Sequence, residues 1–275
     1  MDLKSSVVLG IVQGFTEFLP VSSSAHLVFV PKWLNLTEPS LSFDILLHLA
    51  TLLAVLIYFK NEVYRVFIGF LKSIKILFRG GKFAKIKEEE DLYLPWLIII
   101  SSVPTAVMGF CFKDYFESLF SSVKAVGFFL IITGFILWIG EKMSKETKEI
   151  KNFSIIDSLL VGFMQGVAIA PGISRSGSTI SASLLRGLKK NLASRYSFLL
   201  SIPAILGASL TELPNILKLS SSLNIWLGFI AAVFSGYIAI AICIHFISTN
   251  KLRVFSLYVW GVGILLVYFS LKGSI

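Results

Sequence analysis

The sequence predicts an all-α polytopic membrane protein, with six transmembrane helices and two re-entrant helical hairpins in an inverted-topology repeat. Three observations lead there. The 275 residues are 55% hydrophobic and only 15% charged, with a mean hydropathy of +0.82, whereas a soluble domain carries about 25% charged residues. Six apolar stretches have the roughly 20 residues needed to cross a bilayer. Two further apolar regions are broken midway by Pro, Gly and hydroxyl clusters, and irregular backbone at membrane depth is tolerated only inside protein or beside a wet cavity.

In chain order, residues 3–33 come first, apolar but broken at "PVSSS". Neither half is long enough to cross, so a short helix is expected to enter, turn and leave as another. Lys4 and the apolar run from Val7 resemble a secretory signal, but Gln13 and Glu17 interrupt the run and the segment is expected to stay. Spans are expected at 41–59, 93–112 and 123–140. The second broken region, 154–187, precedes spans at 191–212, 223–247 and 253–271. A single integral membrane domain thus divides into halves 1–152 and 153–275, each a hairpin plus three spans. "LGIVQGF" at 9–15 is echoed by "VGFMQGV" at 161–167, and "SSVPTAVMG" at 101–109 by "LSIPAILG" at 200–207. Inverted repeats of this kind place the working site near the midplane, where the interrupted hairpins meet.

The formal net charge of +9 does not point to nucleic acid, because the basic residues form no soluble module. They fall between apolar runs: Arg65, Lys72, Lys75, Arg79, Lys82 and Lys85 in the loop 60–87, Lys142 to Lys151, Arg186 to Lys190, and Lys251 with Arg253. Loops 113–122 and 213–222 are poor in base. Basic loops in the cytoplasm put the first hairpin on the outer side, the second on the inner side and both termini outside. Cys111 and Cys243 lie in apolar runs and form no disulfide or metal-finger pattern.

Chemistry is concentrated at the two breaks. Glu17 is a carboxylate at membrane depth, which costs about 2.5–3.5 kcal/mol on insertion scales and marks a functional site; the alternative is a structural ion pair with Arg175. Gln13, four residues earlier on the same helix face, gives with Glu17 an oxygen pair suited to Mg²⁺ or Ca²⁺. His26 follows Ser22, Ser23 and Ser24, and a histidine near neutral pKa can activate a hydroxyl nucleophile; it can also simply be satisfied by a backbone carbonyl. In "PGISRSGSTI", residues 171–180, Gly172 and Gly177 let backbone amides approach an anion. Ser174, Ser176, Ser178 and Thr179 supply donors at an expected helix start, and Arg175 offers a bidentate fork for phosphate. Asp44 and His48, one turn apart in "FDILLHLAT", either support the site or pair with each other, the structural pair being the preferred reading, and "EEED" at 88–91 is read as a solvated loop.

"QGFTEFLPVSSSAH" (13–26) and "PGISRSGSTI" (171–180) resemble, in order and separation, the two signature motifs of bacterial undecaprenyl-diphosphate phosphatases, the BacA/UppP family. The resemblance covers the whole chain in length and apolar pattern. It implies a multi-pass plasma-membrane enzyme that hydrolyses undecaprenyl diphosphate to the monophosphate, recycling the lipid carrier of peptidoglycan and wall polymers and conferring bacitracin resistance, with a cavity opening outward. Carried over, Glu17, Ser23, His26, Ser174, Arg175 and Thr179 form the functional set. Gln13 stands where many members have a second glutamate, which weakens a two-carboxylate metal site. The expected chemistry has Arg175, Ser174 and Thr179 holding phosphate, helped by Ser22, Ser24, Gly172, Ser176 and Gly177. A divalent cation sits near Glu17, and His26 acts as base on Ser23 or on water; a His26 nucleophile is a third route. Expected partners are a polyprenyl diphosphate and membrane lipids, with a homodimer open. Inverted hairpins also build transporters, so carriage of a polyprenyl phosphate or another anion is the competing class.

Overall fold

The computed structural model describes residues 1–219 and 222–273; Ser220 and Ser221 of the expected loop 213–222, and Ser274 and Ile275 at the end of the second half, lie outside the described residues. The chain is helical, with no strand among the described residues beyond one isolated bridge between Lys148 and Leu188. The first hairpin is α1 (Leu3–Phe18) and α2 (Ser23–Leu34), followed by the span α3 (Leu41–Tyr58). Two helices then occupy the expected loop: α4 (Lys60–Phe78) and α5 (Phe83–Glu88). Next come α6 (Glu90–Cys111), the short α7 (Lys113–Leu119) inside the expected loop 113–122, and α8 (Val123–Lys142). The second hairpin is α9 (Ile155–Val167) and α10 (Arg175–Leu185), and the chain ends with α11 (Lys190–Leu219), α12 (Leu223–Ser248) and α13 (Leu252–Leu271).

Among the described residues α3, α6, α8, α12 and α13 are long and apolar enough to cross a membrane. The sixth expected span lies within α11, whose 30 residues reach about 45 Å at 1.5 Å per residue. The loop expectations are corrected. Residues 60–78 and 83–87 are helical, α4 because apolar residues recur on one face between its lysines; α7 takes up 113–119, and α11 runs on through 213–219. The acidic run 88–91 is not simply solvated: Glu90 and Asp91 open α6, where acid suits the helix start, and Glu90 accepts from Arg195 at 2.7 Å.

Several helix pairings map onto one another when residues 1–152 and 153–275 are exchanged, although α10 packs on α8 without an equal contact between α2 and α13. α1 packs on α12 and α9 on α6, while α8 meets α13 and α3 meets α11. Without a hydrophobic drive between helices in lipid, close backbone approach supplies the contact. Gly10 of α1 lies against the Gly228 backbone and Gly14 against Ala232, Ser235 and Gly236. In the other half Gly162 lies against the Ser101 backbone and Gly166 against Met108. The Gln-Gly echo therefore falls on equivalent helices. The proline echo does not: it lands on α6, the second span of one half, and on α11, the first span of the other.

Each hairpin is pinned at its mouth by one carboxylate. Asp2 caps α1, accepting from the Ser5 amide at 2.9 Å, and its other oxygen accepts from the Thr37 hydroxyl beyond α2 at 2.7 Å. Asp157, fully buried, closes a capping box with Ser154 and accepts from Lys148 at 2.7 Å and from Arg186, just past α10, at 2.6 Å. With their mouths tied, both hairpins push their broken tips inward. The main core, including Phe18, Phe198, Phe153 and Tyr196, packs around the paired helices.

Gly10→Leu and Gly162→Leu should each lower stability by about 1–3 kcal/mol, because the added side chain meets backbone that cannot yield. Gly261→Ala, facing open space, should leave the unfolding temperature unchanged or slightly raised; thermal unfolding of the three purified variants checks the contrast.

Candidate active site

Both breaks end in helix starts. α1 stops at Leu19, and Ser22, held at φ 68°, caps α2 with its hydroxyl accepting from the Ala25 amide. A non-glycine residue there is strained backbone that the surroundings must impose. In the second hairpin Gly172 takes φ 102°, a conformation suited to glycine, and Ser174 caps α10 by accepting from the Gly177 amide at 3.1 Å. Thr133 of α8 braces this turn, donating to the Gly172 carbonyl at 2.9 Å and accepting from the Ser174 amide at 3.0 Å.

The two tips meet. Arg175, first residue of α10, donates from Nη2 to Glu17 Oε1 at 2.5 Å. The Gly172 amide donates to Ser24 Oγ at 3.4 Å, and Ser176 Oγ to the Leu19 carbonyl at 3.4 Å. Helix starts carry unpaired amides and partial positive charge, so two of them brought together with an arginine make a site for an anion. Arg175 Nη1 is buried and has no hydrogen-bond partner in the protein, a donor left over for a ligand.

Glu17, 7% exposed, is the hub. Its Oε2 accepts from Ser23 Oγ at 2.6 Å and from Gln13 Nε2 at 3.0 Å, and His48 Nε2 stands 3.5 Å away. The helix spacing of Gln13 and Glu17 is thus realised, and so is the ion pair with Arg175. Ser23 is the serine that reaches the carboxylate. Ser22 and Ser24 instead hydrogen-bond each other at 3.1 Å beside the tip.

His26 is placed differently from the expectation. Its Nδ1 donates to the Ser22 carbonyl at 2.8 Å, which fixes the tautomer, so the neutral ring accepts at Nε2 from the Tyr258 hydroxyl, also at 2.8 Å. Ser23 donates its hydrogen bond to Glu17, and the expected His26–Ser23 pairing is not formed. Thr179 also turns away from the tips: its hydroxyl meets Ser197 of α11 at 2.6 Å and the Arg175 carbonyl at 2.9 Å. Ser174 and Gly177 form the cap, Ser176 lies between the tips, and Ser178 Oγ is buried without a hydrogen-bond partner.

His48 departs from the structural reading. Its Nδ1 donates to the Asp44 carbonyl at 2.8 Å, not to the Asp44 carboxylate, and its other face looks at Glu17. The signal was present: a histidine about two turns into a span. Tyr258, 232 residues from His26, carried no signal in an aromatic-rich chain.

The donor set does not make a resident metal site. Glu17 is the sole carboxylate at the tips and already faces an arginine, two neutral donors and an imidazole, and beside it Gln13 Oε1 is one of several buried oxygens without a hydrogen-bond partner. Among the described residues no group of three or more His, Cys, Asp or Glu is placed to share an ion.

Arg175→Met should cost about 3–5 kcal/mol, because it strands a buried carboxylate. Adding Glu17→Gln to it should recover part of that loss; unfolding midpoints of the two variants against the parent measure the recovery.

The sequence profile of the family described as bacitracin resistance protein BacA matches residues 6–265. An undecaprenyl-diphosphatase of Halothermothrix orenii is 44% identical over 97% of this chain and 98% of its own. The undecaprenyl-diphosphatase of Methanobrevibacter smithii is 42% identical over 96% of both chains, and that of Carboxydothermus hydrogenoformans 41% identical over the full length of each. With a family profile covering nearly all of the sequence, the chain belongs to the BacA bacitracin-resistance family.

Proposed function

We propose that this membrane protein hydrolyses undecaprenyl diphosphate to undecaprenyl phosphate and inorganic phosphate, with Ser23 as nucleophile and Glu17 as its base. The observation that carries the residue assignment is the 2.6 Å hydrogen bond from Ser23 to a carboxylate whose cation partner, Arg175, has a second donor free. Positioning and electrostatics dominate phosphoryl transfer, and the tips supply both. A hydroxyl held on a carboxylate has a use in hydrolysis and none in carriage, which favours the enzyme over the transporter. The product is the lipid carrier of wall polymers, and its renewal accounts for the resistance in the family's description.

The diphosphate takes up Arg175 Nη1 and the amides of the two helix starts, drawing the guanidinium from Glu17. Glu17 then accepts the Ser23 proton as Oγ attacks the terminal phosphorus. The bond from that phosphorus to the bridging oxygen breaks, and undecaprenyl phosphate leaves. Water attacks the phosphoserine, Glu17 returns its proton to Ser23 Oγ, and phosphate departs as the monoanion. His26, locked between Ser22 and Tyr258, holds the first turn of α2 in place; this replaces the expected roles of base and nucleophile. The divalent cation, Mg²⁺ or Ca²⁺, is assigned as a companion of the diphosphate and not as a resident of the protein, since the donor set is too poor to retain it.

The site is assigned to the outer side of the plasma membrane. Base-rich segments gather at one face. At the opposite face a cavity of about 470 Å³ is lined by Leu27, Lys32, Glu38, Asp44 and Glu117, beside α2 and one helical turn from His48. The pairings that recur on exchange, α1 on α12 with α9 on α6 and α3 on α12 with α11 on α6, support the halves 1–152 and 153–275 as an inverted repeat. The prenyl chain then lies along helices facing lipid.

Purified protein should release phosphate from a long-chain prenyl diphosphate. Ser23→Ala and Glu17→Gln should each lower kcat by about 10²–10⁴, the usual worth of a positioned base. Chelating the cation should raise KM more than it lowers kcat. Full activity in Ser23→Ala would move the nucleophile to water.

A further inference from the structure

The basic segment between the first two spans is left unused by the chemistry above, and it is built as a two-edged helix. α4 starts at Phe59, which also caps α3, and the chain reaches the next span at Glu90, so both ends of the connection lie at one membrane face. Its inner side is committed. Gly69 lies against the Asp91 backbone, Ser73 accepts from Trp96 Nε1 at 2.9 Å, and the Phe70 and Trp96 rings are 5.5 Å apart.

Its outer side divides in two. Tyr64, Phe67, Leu71 and Phe78 recur at spacings of three, four and seven residues and form one stripe, 67%, 58%, 48% and 89% exposed respectively. Arg65, Lys72, Lys75 and Arg79, all exposed, form the adjoining stripe about a quarter-turn round. Glu62, the one acid on α4, makes a 3.6 Å pair with Arg65 and leaves the other three cations unopposed by it. An apolar stripe beside a cationic one is the pattern of a helix lying in the bilayer interface, with acyl chains on one edge and phosphates on the other. A second copy of the chain fits poorly, because a two-fold contact would bring like charges together.

We infer that the outer face of α4 binds anionic phospholipid headgroups of the leaflet on the basic side, a lipid contact separate from the substrate site. The test uses the full chain in phosphatidylcholine vesicles containing 20 mol% (roughly physiological) phosphatidylglycerol, with spin-labelled analogues of each lipid reporting the motionally restricted fraction. Wild type should restrict phosphatidylglycerol over phosphatidylcholine by about threefold or more, and 0.5 M salt (on the order of a 4–5 Å Debye length) should weaken the preference. The variant R65Q/K72Q/K75Q/R79Q should bring the ratio close to one, while its phosphate release in pure phosphatidylcholine stays at the wild-type rate. If four changes prevent folding, R65Q/K72Q and K75Q/R79Q should each lose about half of the preference. An unchanged ratio in these variants, or no preference in wild type, overturns the lipid assignment and gives the face to an acidic protein partner. Neither result bears on the phosphatase reading, which the activity assay reads separately.

Discussion

The contact between Glu17 and Arg175 is the constraint around which the rest of the molecule is arranged. Two opposite charges held at membrane depth cost several kcal/mol of lost hydration, which their attraction offsets only with good geometry and further hydrogen bonds. The fold supplies both. Glycine-mediated contacts seat α1 on α12 and α9 on α6, setting the depth of each tip. Asp2 and Asp157 tie the mouths, and Thr133 holds the turn that leads into Arg175. Gln13, Ser23 and His48 crowd the remaining carboxylate oxygen. Charges of this sort persist where function requires them, since apolar residues of the same volume are often at least as stable.

That arrangement is unusual in being complete without ligand yet short of one acceptor. Arg175 keeps a buried donor with nothing in the protein to accept from it, and the two helix starts meet beside it. On the proposed mechanism a diphosphate takes up that donor, and the Ser23 hydroxyl already donates to the carboxylate proposed as its base. The second half has Gln165 where the first has Gln13, but Ile169 stands where a counterpart of Glu17 would be. On the proposed mechanism the base therefore comes from one hairpin and the anion-binding arginine from the other.

Much of this was legible along the chain, because the determining signals are local. A membrane-depth carboxylate, an arginine in a Gly-Ser turn and apolar runs of fixed length each state their meaning within about 20 residues. Both hairpins fall where those signals placed them, and so do helices at all six expected spans, five of which are long and apolar enough to cross among the described residues. α4 reads as a loop when only its charges are counted for orientation; the apolar stripe between those charges is the signal of the helix. The partners of individual side chains were the least legible. Thr179 belongs to the right motif, but helix periodicity turns it onto Ser197. His26 sits three residues from Ser23, yet its ring is claimed by Ser22 and by Tyr258 from the far end of the chain. For His48 the less favoured alternative, support of the site, is the one the geometry matches, since the packing of α3 beside α1 brings it to Glu17.

The most direct test of a single site shared by the two hairpins is a double-mutant cycle on kcat/KM for prenyl diphosphate hydrolysis, using Glu17→Gln, Arg175→Gln and the pair. Residues that act as a unit are strongly non-additive. The double variant should be no slower than the worse single variant, to within about threefold. Losses that multiply would mean that Glu17 and Arg175 act independently, and the two hairpins would no longer constitute one site.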